Sequence, residues 1–197
     1  MPKTEIKIGG FGGQGVILSG YIIGRAATIY DDKHSTMIQA FGPEARGSAC
    51  SVQLIVSDDP IDYPYLTHPE LLVVMSQEAY SKFSPELAPG GTLITESELV
   101  SAHNLRKDVR HLSIPATRIA EELGKRMVLN IVMMGFLTAL SGVVTPEAMR
   151  KAVLASVPKG TEDLNLRAFE KGYEYGRARE LPHREGLESP EGLSRTM

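Results

Sequence analysis

Residues 5–15, EIKIGGFGGQG, decide how the chain is read. EIKIGG has the short, alternating apolar character of a strand. It runs into Gly9-Gly10-Phe11-Gly12-Gly13-Gln14-Gly15, where five of seven residues are glycine. Residues 15–30, GVILSGYIIGRAATIY, then place Val16, Ile17, Leu18, Ile22, Ile23, Ala26, Ala27 and Ile29 as on a helix wedged against a sheet. Strand, glycine turn and helix in that order are the context of a G-x-G-x-x-G motif, met by Gly10, Gly12 and Gly15. Such glycines remove the Cβ and permit positive φ, so backbone N–H groups and a helix N-terminus can approach an anion. A tight turn packed against another chain asks for the same residues, and the motif alone leaves both readings open. The acidic residue of a dinucleotide site, about 20 positions on, has only Asp31 and Asp32 as candidates. Both equally suit a solvent-facing helix end.

Further along, STMIQAF reads as a second strand, followed by the loop GPEARGS. ACSVQLIVSD alternates Cys50, Val52, Leu54 and Val56 with Ser51, Gln53, Ile55 and Ser57, a strand with one apolar face. The unbroken LLVVMS suits a central parallel strand covered on both sides. QEAYSKF is a short helix, TLITE and HLSIP are strands, and ATRIAEELG is a helix with Gly124 as its stop. From Val128 onward the chain reads as helical: Val128 to Ser141, then TPEAMRKAVLASV with Thr145 as N-cap and Pro146 at N1, then EDLNLRAFEKGYEYGRARE. Gly20 and Gly24, four apart, share a helix face and let it pack closely on a neighbour. The expected fold is α/β: a Rossmann-like, mainly parallel sheet with flanking helices and a helical C-terminal part. One domain is expected over residues 1–178, with residues 179–197 a polar tail that is flexible or laid on a partner.

Composition narrows the function. The 197 residues carry a formal net charge of -3, so no basic excess points to nucleic acid. One cysteine, Cys50, excludes an internal disulfide and an all-cysteine Fe–S cluster, which needs about four thiolates. His34, His68, His103, His111 and His183 are scattered without zinc spacing. MPKTEIKIGG has no apolar core of a signal peptide, which fits a cytoplasmic protein. Met127 to Val144 is uncharged over 18 residues, yet it holds Asn130, Thr138 and Ser141. It is expected as a buried core or interface helix rather than a membrane span. Neither a P-loop lysine nor a G-x-S-x-G elbow is present.

The remaining candidates are a loop and an amide. FGPEARGSA sets Glu44 and Arg46 between Pro43 and Gly47. A guanidinium there can take a carboxylate or phosphate, or pair with its own Glu44 at the surface. Asn130 suits a buried amide bonded to backbone, with ligand contact as the alternative. Chemistry alone thus offers an anion-friendly turn and no catalytic constellation.

Taken in order, GGFGGQGVILSG, QAFGPEARGSACSVQLIVSDDPI, LLVVMSQEAYSKF, PGGTLI, IPATRIAEELG and NIVMMGFLTALSG resemble the gamma subunit of 2-oxoacid:ferredoxin oxidoreductases, nearest to the 2-oxoglutarate type. The resemblance spans residues 5 to 176. It implies a subunit of an enzyme that oxidatively decarboxylates a 2-oxoacid with coenzyme A, passing electrons to ferredoxin, or runs the reverse. It further implies that thiamine diphosphate, Mg and [4Fe-4S] clusters belong to partner chains. Those partners would be alpha and beta subunits, with a delta subunit left open; neither nucleic acid nor membrane is implied. No catalytic residue is assigned to this chain. Gly10, Gly12, Gly13, Gln14, Gly15, Glu44, Arg46 and Asn130 become the cofactor-binding or subunit-junction residues, with Arg46 the foremost anion contact. The chain departs from the R-G-G of that family at Ser48, where a Cβ would strain any backbone needing positive φ. A subunit role predicts exposed apolar surface, including part of Met127 to Val144. A stand-alone Rossmann-type nucleotide-binding oxidoreductase and a non-catalytic structural adaptor remain the alternative readings.

Overall fold

The computed structural model describes residues 3–40 and 49–180. Strand β1 (Thr4–Phe11) leads through the glycine turn into helix α1 (Val16–Arg25), prolonged by a π-helical turn at Ala26–Tyr30. Strands β2 (His34–Ala40) and β3 (Ala49–Ser57) follow, then β4 (Leu71–Val74), α2 (Gln77–Phe83), β5 (Thr92–Glu96) and β6 (Arg110–Ile114). The chain ends in helices α3 (Ala116–Glu122), α4 (Leu129–Ser141), α5 (Pro146–Ser156) and α6 (Glu162–Glu180). Helix α6 runs two residues past the expected domain end at 178, and residues 181–197 of the expected tail lie outside the described residues.

The six strands form one sheet in the order β2-β3-β1-β4-β5-β6. β1, β4, β5 and β6 pair in parallel, while β3 is antiparallel to both β1 and β2. Five strands therefore run one way and β3 alone runs back. The sequence carries the reason: no helical stretch separates STMIQAF from ACSVQLIVSD, and a short loop joins neighbouring strands antiparallel.

Unequal layers cover the two faces. On one side Ile6, Ile8, Val52, Leu54 and Val73 pack with α1 and the α4–α6 region into a large core. On the other, Leu72, Val74 and Leu93 meet Ala79, Tyr80 and Phe83 in a smaller core around α2. The small-core face of β1 is polar. Glu5 and Lys7 are both buried there, and Lys7 Nζ lies 2.5 Å from Glu86 Oε2 and 4.2 Å from the Phe83 ring centroid. A Cβ on Gly9 would lie 2.7 Å from the same ring, so a glycine at this position lets Phe83 lie on the strand. Gly20 does the corresponding work on the other face, where its Cβ would come 2.7 Å from Val52.

Helix α4 is the centre of the large core. Leu129 to Ala139 are all buried, and among the described residues no helix is long and apolar enough to cross a membrane. The buried-helix expectation holds. Of the expectation that part of Met127 to Val144 supplies exposed apolar surface, Met127, 84% exposed, is what holds, while α1, α3, α5 and α6 bury Leu129 to Ala139. Gly135 and Gly172 allow that burial, because a Cβ on either would overlap the backbone carbonyl of Phe169 or Val132.

Candidate functional site at the glycine turn

The carboxyl ends of β1, β4, β5 and β6 make one edge of the sheet, and the glycine turn lies on it. α1 leaves β1 toward the large core, whereas α2 leaves β4 toward the small one. The crevice between the ends of β1 and β4 is therefore the place where the winding changes sides, where open α/β sheets bind ligands.

Gln14 closes that crevice from within. Its Oε1 accepts the Phe11 N–H at 2.6 Å, and its Nε2 donates to the Met75 carbonyl at 2.8 Å, tying the turn to the end of β4. A Cβ on Gly10 would sit 2.7 Å from Gln14 Oε1 and 2.9 Å from Val16, so Gly10 serves this clamp. Gly15 caps α1 at φ 75° without any side-chain cap. Its carbonyl accepts from Ser19 N–H at 2.9 Å and from Asn130 Nδ2 at 3.3 Å, and a Cβ on it would run into the Asn130 amide. The expected role of Asn130 as a buried amide on backbone is thus what the geometry shows, and that backbone is the glycine turn, 115 residues away in sequence.

Gly12 and Gly13 differ. Both are exposed, and no atom of the described residues lies within 4 Å of a Cβ built on either. Gly13 has φ 94°, a left-handed value that suits glycine. Gly12 has neither positive φ nor a close neighbour, and glycine in such a place carries a conformational-entropy cost with no return inside the described chain. The first turn of α1 brings no acidic side chain to this edge, so its N–H groups and the positive end of the helix dipole face the space over the turn.

The second loop returns to the same edge. Ala49 pairs opposite Phe11 and Ala40 opposite Ser51, so both anchors of the 41–48 connection stand on the glycine-turn side. Glu44, Arg46 and Ser48 themselves lie outside the described residues. Cys50 pairs with Gly10 in the ladder, but burial pushes its thiol above the ordinary value, which keeps it protonated and inert.

Asp31 does not serve the turn. Its carboxylate accepts from the Thr145 N–H and hydroxyl, both at 2.6 Å, and so fixes the start of α5. It sits at the far end of α1, about 20 Å from the glycine turn at 1.5 Å per helical residue. Sequence reasoning missed Glu96, fully buried at the end of β5. It accepts N–H groups from Glu98 at 2.9 Å, Leu99 at 2.6 Å and Thr117 at 3.1 Å, tying the β5 loop to the first turn of α3. A carboxylate closing TLITE just before a polar loop was its only signal. Among the described residues no cluster of three His, Cys, Asp or Glu is placed to hold a metal ion.

Residues 5–175 match the pyruvate ferredoxin/flavodoxin oxidoreductase family. The chain belongs to that family. It is 49% identical to the 2-oxoglutarate synthase subunit KorC of Methanocaldococcus jannaschii, over 87% of this chain and 93% of that one. It is 32% identical to the ketoisovalerate oxidoreductase subunit VorA of Methanothermobacter thermautotrophicus, where the match covers 89% of this chain but 37% of the longer protein. The gamma subunit of a keto/oxoacid ferredoxin oxidoreductase from Geobacter sulfurreducens shares its fold at TM-score 0.81 and 39% identity, covering 90% of this chain and 98% of that one. The pyruvate ferredoxin/flavodoxin oxidoreductase unit thus occurs both as a separate chain and as part of a longer one.

Proposed function

We propose that this chain is the gamma subunit of a 2-oxoglutarate:ferredoxin oxidoreductase, converting 2-oxoglutarate and coenzyme A to succinyl-CoA and carbon dioxide with two electrons passed to ferredoxin, or the reverse. The observation that carries the reading is the 49% identity to a 2-oxoglutarate synthase subunit across nearly its whole length. Occurrence of the same unit within a longer subunit of a relative supports a unit that works against a partner surface. The donor set agrees with cofactors held elsewhere: one buried thiol cannot supply a cluster. Thiamine diphosphate with Mg supplies decarboxylation chemistry and [4Fe-4S] clusters the electron path, both from alpha and beta partner chains. This reading places the complex in the cytoplasm.

The chain's own residues contribute a shaped, positively polarised edge. Gln14, bonded to Phe11 and Met75, and Asn130, bonded to Gly15, hold the turn rigid. Gly12, Gly13 and the first N–H groups of α1 are offered to a partner backbone or to an anionic group of coenzyme A at the subunit junction. Arg46, in the loop anchored on the same edge, is the proposed carboxylate or phosphate contact. A free-standing dinucleotide site is disfavoured, because Gln14 fills the β1–β4 crevice and Asp31 is committed to α5.

Tagging the chain in its native cells and purifying it without oxygen tests this. Co-elution with partner chains, iron and thiamine diphosphate, with coenzyme A-dependent oxidation of 2-oxoglutarate, is the expected result. A folded chain eluting alone and binding NAD(P) would overturn it.

A further inference from the structure

The amino edge of the sheet, opposite the glycine turn, carries an exposed aromatic pair that the glycine-turn junction does not use. Residues 58–70, DDPIDYPYLTHPE, join the end of β3 to the start of β4. Tyr63 and Tyr65 are 67% and 53% exposed, with ring centroids 5.4 Å apart and planes tilted by 49°. Leaving two adjacent tyrosines in water forgoes the burial that large aromatic side chains provide, and tyrosines in exposed patches are favoured anchors of protein interfaces.

The segment is braced rather than slack. The buried Glu5 carboxylate accepts the N–H groups of Thr67 at 3.0 Å and His68 at 3.3 Å, and Pro60, Pro64 and Pro69 restrict the backbone. Docking on it therefore costs little ordering entropy. Its own charge is one-sided, with four carboxylates and no lysine or arginine; Asp58 is paired with Lys33 Nζ at 3.7 Å, which leaves Asp59, Asp62 and Glu70 to set the sign. Asp59 and Asp62 precede the pair in sequence and are exposed. Tyrosine faces beside carboxylates suit a cation laid over a ring with its charge balanced alongside. An acidic docking protein would meet like charge here.

We propose that the Tyr63–Tyr65 pair docks an arginine- or lysine-bearing segment of a partner subunit, giving this chain a second contact on the sheet edge opposite the glycine turn. The inference rests on the gamma-subunit reading. The test compares the tagged complex carrying the unaltered chain, Tyr63→Ser/Tyr65→Ser, and Asp59→Lys/Asp62→Lys. Expected is at least a tenfold weaker hold on partner chains for both variants in a salt-wash series, with an unchanged melting temperature for each chain alone. Carbodiimide, which joins carboxylates to touching amines, is expected to link Asp59 or Asp62 to a partner-chain lysine. Unaltered assembly in both variants overturns the docking while leaving the subunit role intact. Cross-links joining two copies of this chain overturn it in favour of self-association. An unaltered chain that recovers no partners removes the subunit reading and the docking with it.

Discussion

Glycine does opposite work in two regions of this molecule. At the α4–α6 crossing, Gly135 and Gly172 look inward: a Cβ on either collides with a backbone carbonyl of the facing helix. At the carboxyl edge of β1, Gly12 looks outward, with no described atom within 4 Å of where its Cβ would stand. The first pair is explained by the fold of this chain. The other glycine finds no explanation within the described residues and points to whatever approaches the turn. Gly10 and Gly15 stand between these cases, since each makes room for a side chain, Gln14 or Asn130, that steadies the turn.

The largest expected effect lies at the crossing. Gly172→Ala should cost about 3 kcal/mol or more of stability in urea unfolding, because helix backbones must separate to admit one methyl group. A cost below about 0.5 kcal/mol, the range of ordinary surface changes, would mean the helices are not in backbone contact. Next comes the turn itself. Gly15→Ala should destabilise by about 1–2 kcal/mol from its left-handed φ, with the overlap on Asn130 adding to it. Asn130→Ala in the same chain should restore part of that loss. Strict additivity of the two substitutions would break the assignment of Gly15 to the Asn130 contact.

Gly12→Val should separate the two regions most sharply. The melting curve of the chain should stay within about 0.5 kcal/mol of the unaltered protein, while turnover of the assembled complex falls about tenfold, a change of about 1.4 kcal/mol in the barrier. Full turnover in a complex carrying Gly12→Val would show that nothing approaches this residue.

A smaller effect concerns β1 and acid. Burial works to raise the Glu5 carboxyl, but the hydrogen bonds from Lys3, Thr67 and His68 outweigh it and hold it below the ordinary 4.5. A depressed folded value means the contribution is present above about pH 4.5 and is lost as pH falls through the folded value. Glu5→Gln should therefore flatten the acid limb of stability against pH while changing little at pH 8 beyond the lost ion pair with Lys3, about 0–1 kcal/mol. An acid limb identical in the variant would remove Glu5 from that role.

Much of the architecture was legible in the residues. EIKIGG, LLVVMS, TLITE and HLSIP appear as β1, β4, β5 and β6, and Thr145 caps α5 through its Oγ1 on the Ala148 N–H. Pattern reading works there because burial on a sheet face and capping are local properties of a few residues. The polar face of β1 was not legible. Glu5 and Lys7 look like surface positions in a period-2 strand, and only α2 and the 58–70 loop, folding over that face, turn them into buried, paired groups. Asp31 stays ambiguous in the sequence for a similar reason: its distance from the glycine motif suits a ribose contact as well as a helix end, and only the packing of α5 on the end of α1 commits it to Thr145.

By itself, the sequence determined the alternation of strands and helices, the glycine turn between β1 and α1, the buried character of the uncharged helix from Leu129 onward, and the family resemblance through motifs in fixed order. Tertiary structure alone decided the rest. It set β3 between β2 and β1, joined Asn130 to Gly15 across 115 residues, and put the anchors of the Arg46 loop beside the same turn. Local preference acts over a few residues through backbone dihedrals and side-chain periodicity. The meeting of distant segments depends on which faces bury each other, and that is settled only when the whole chain has packed.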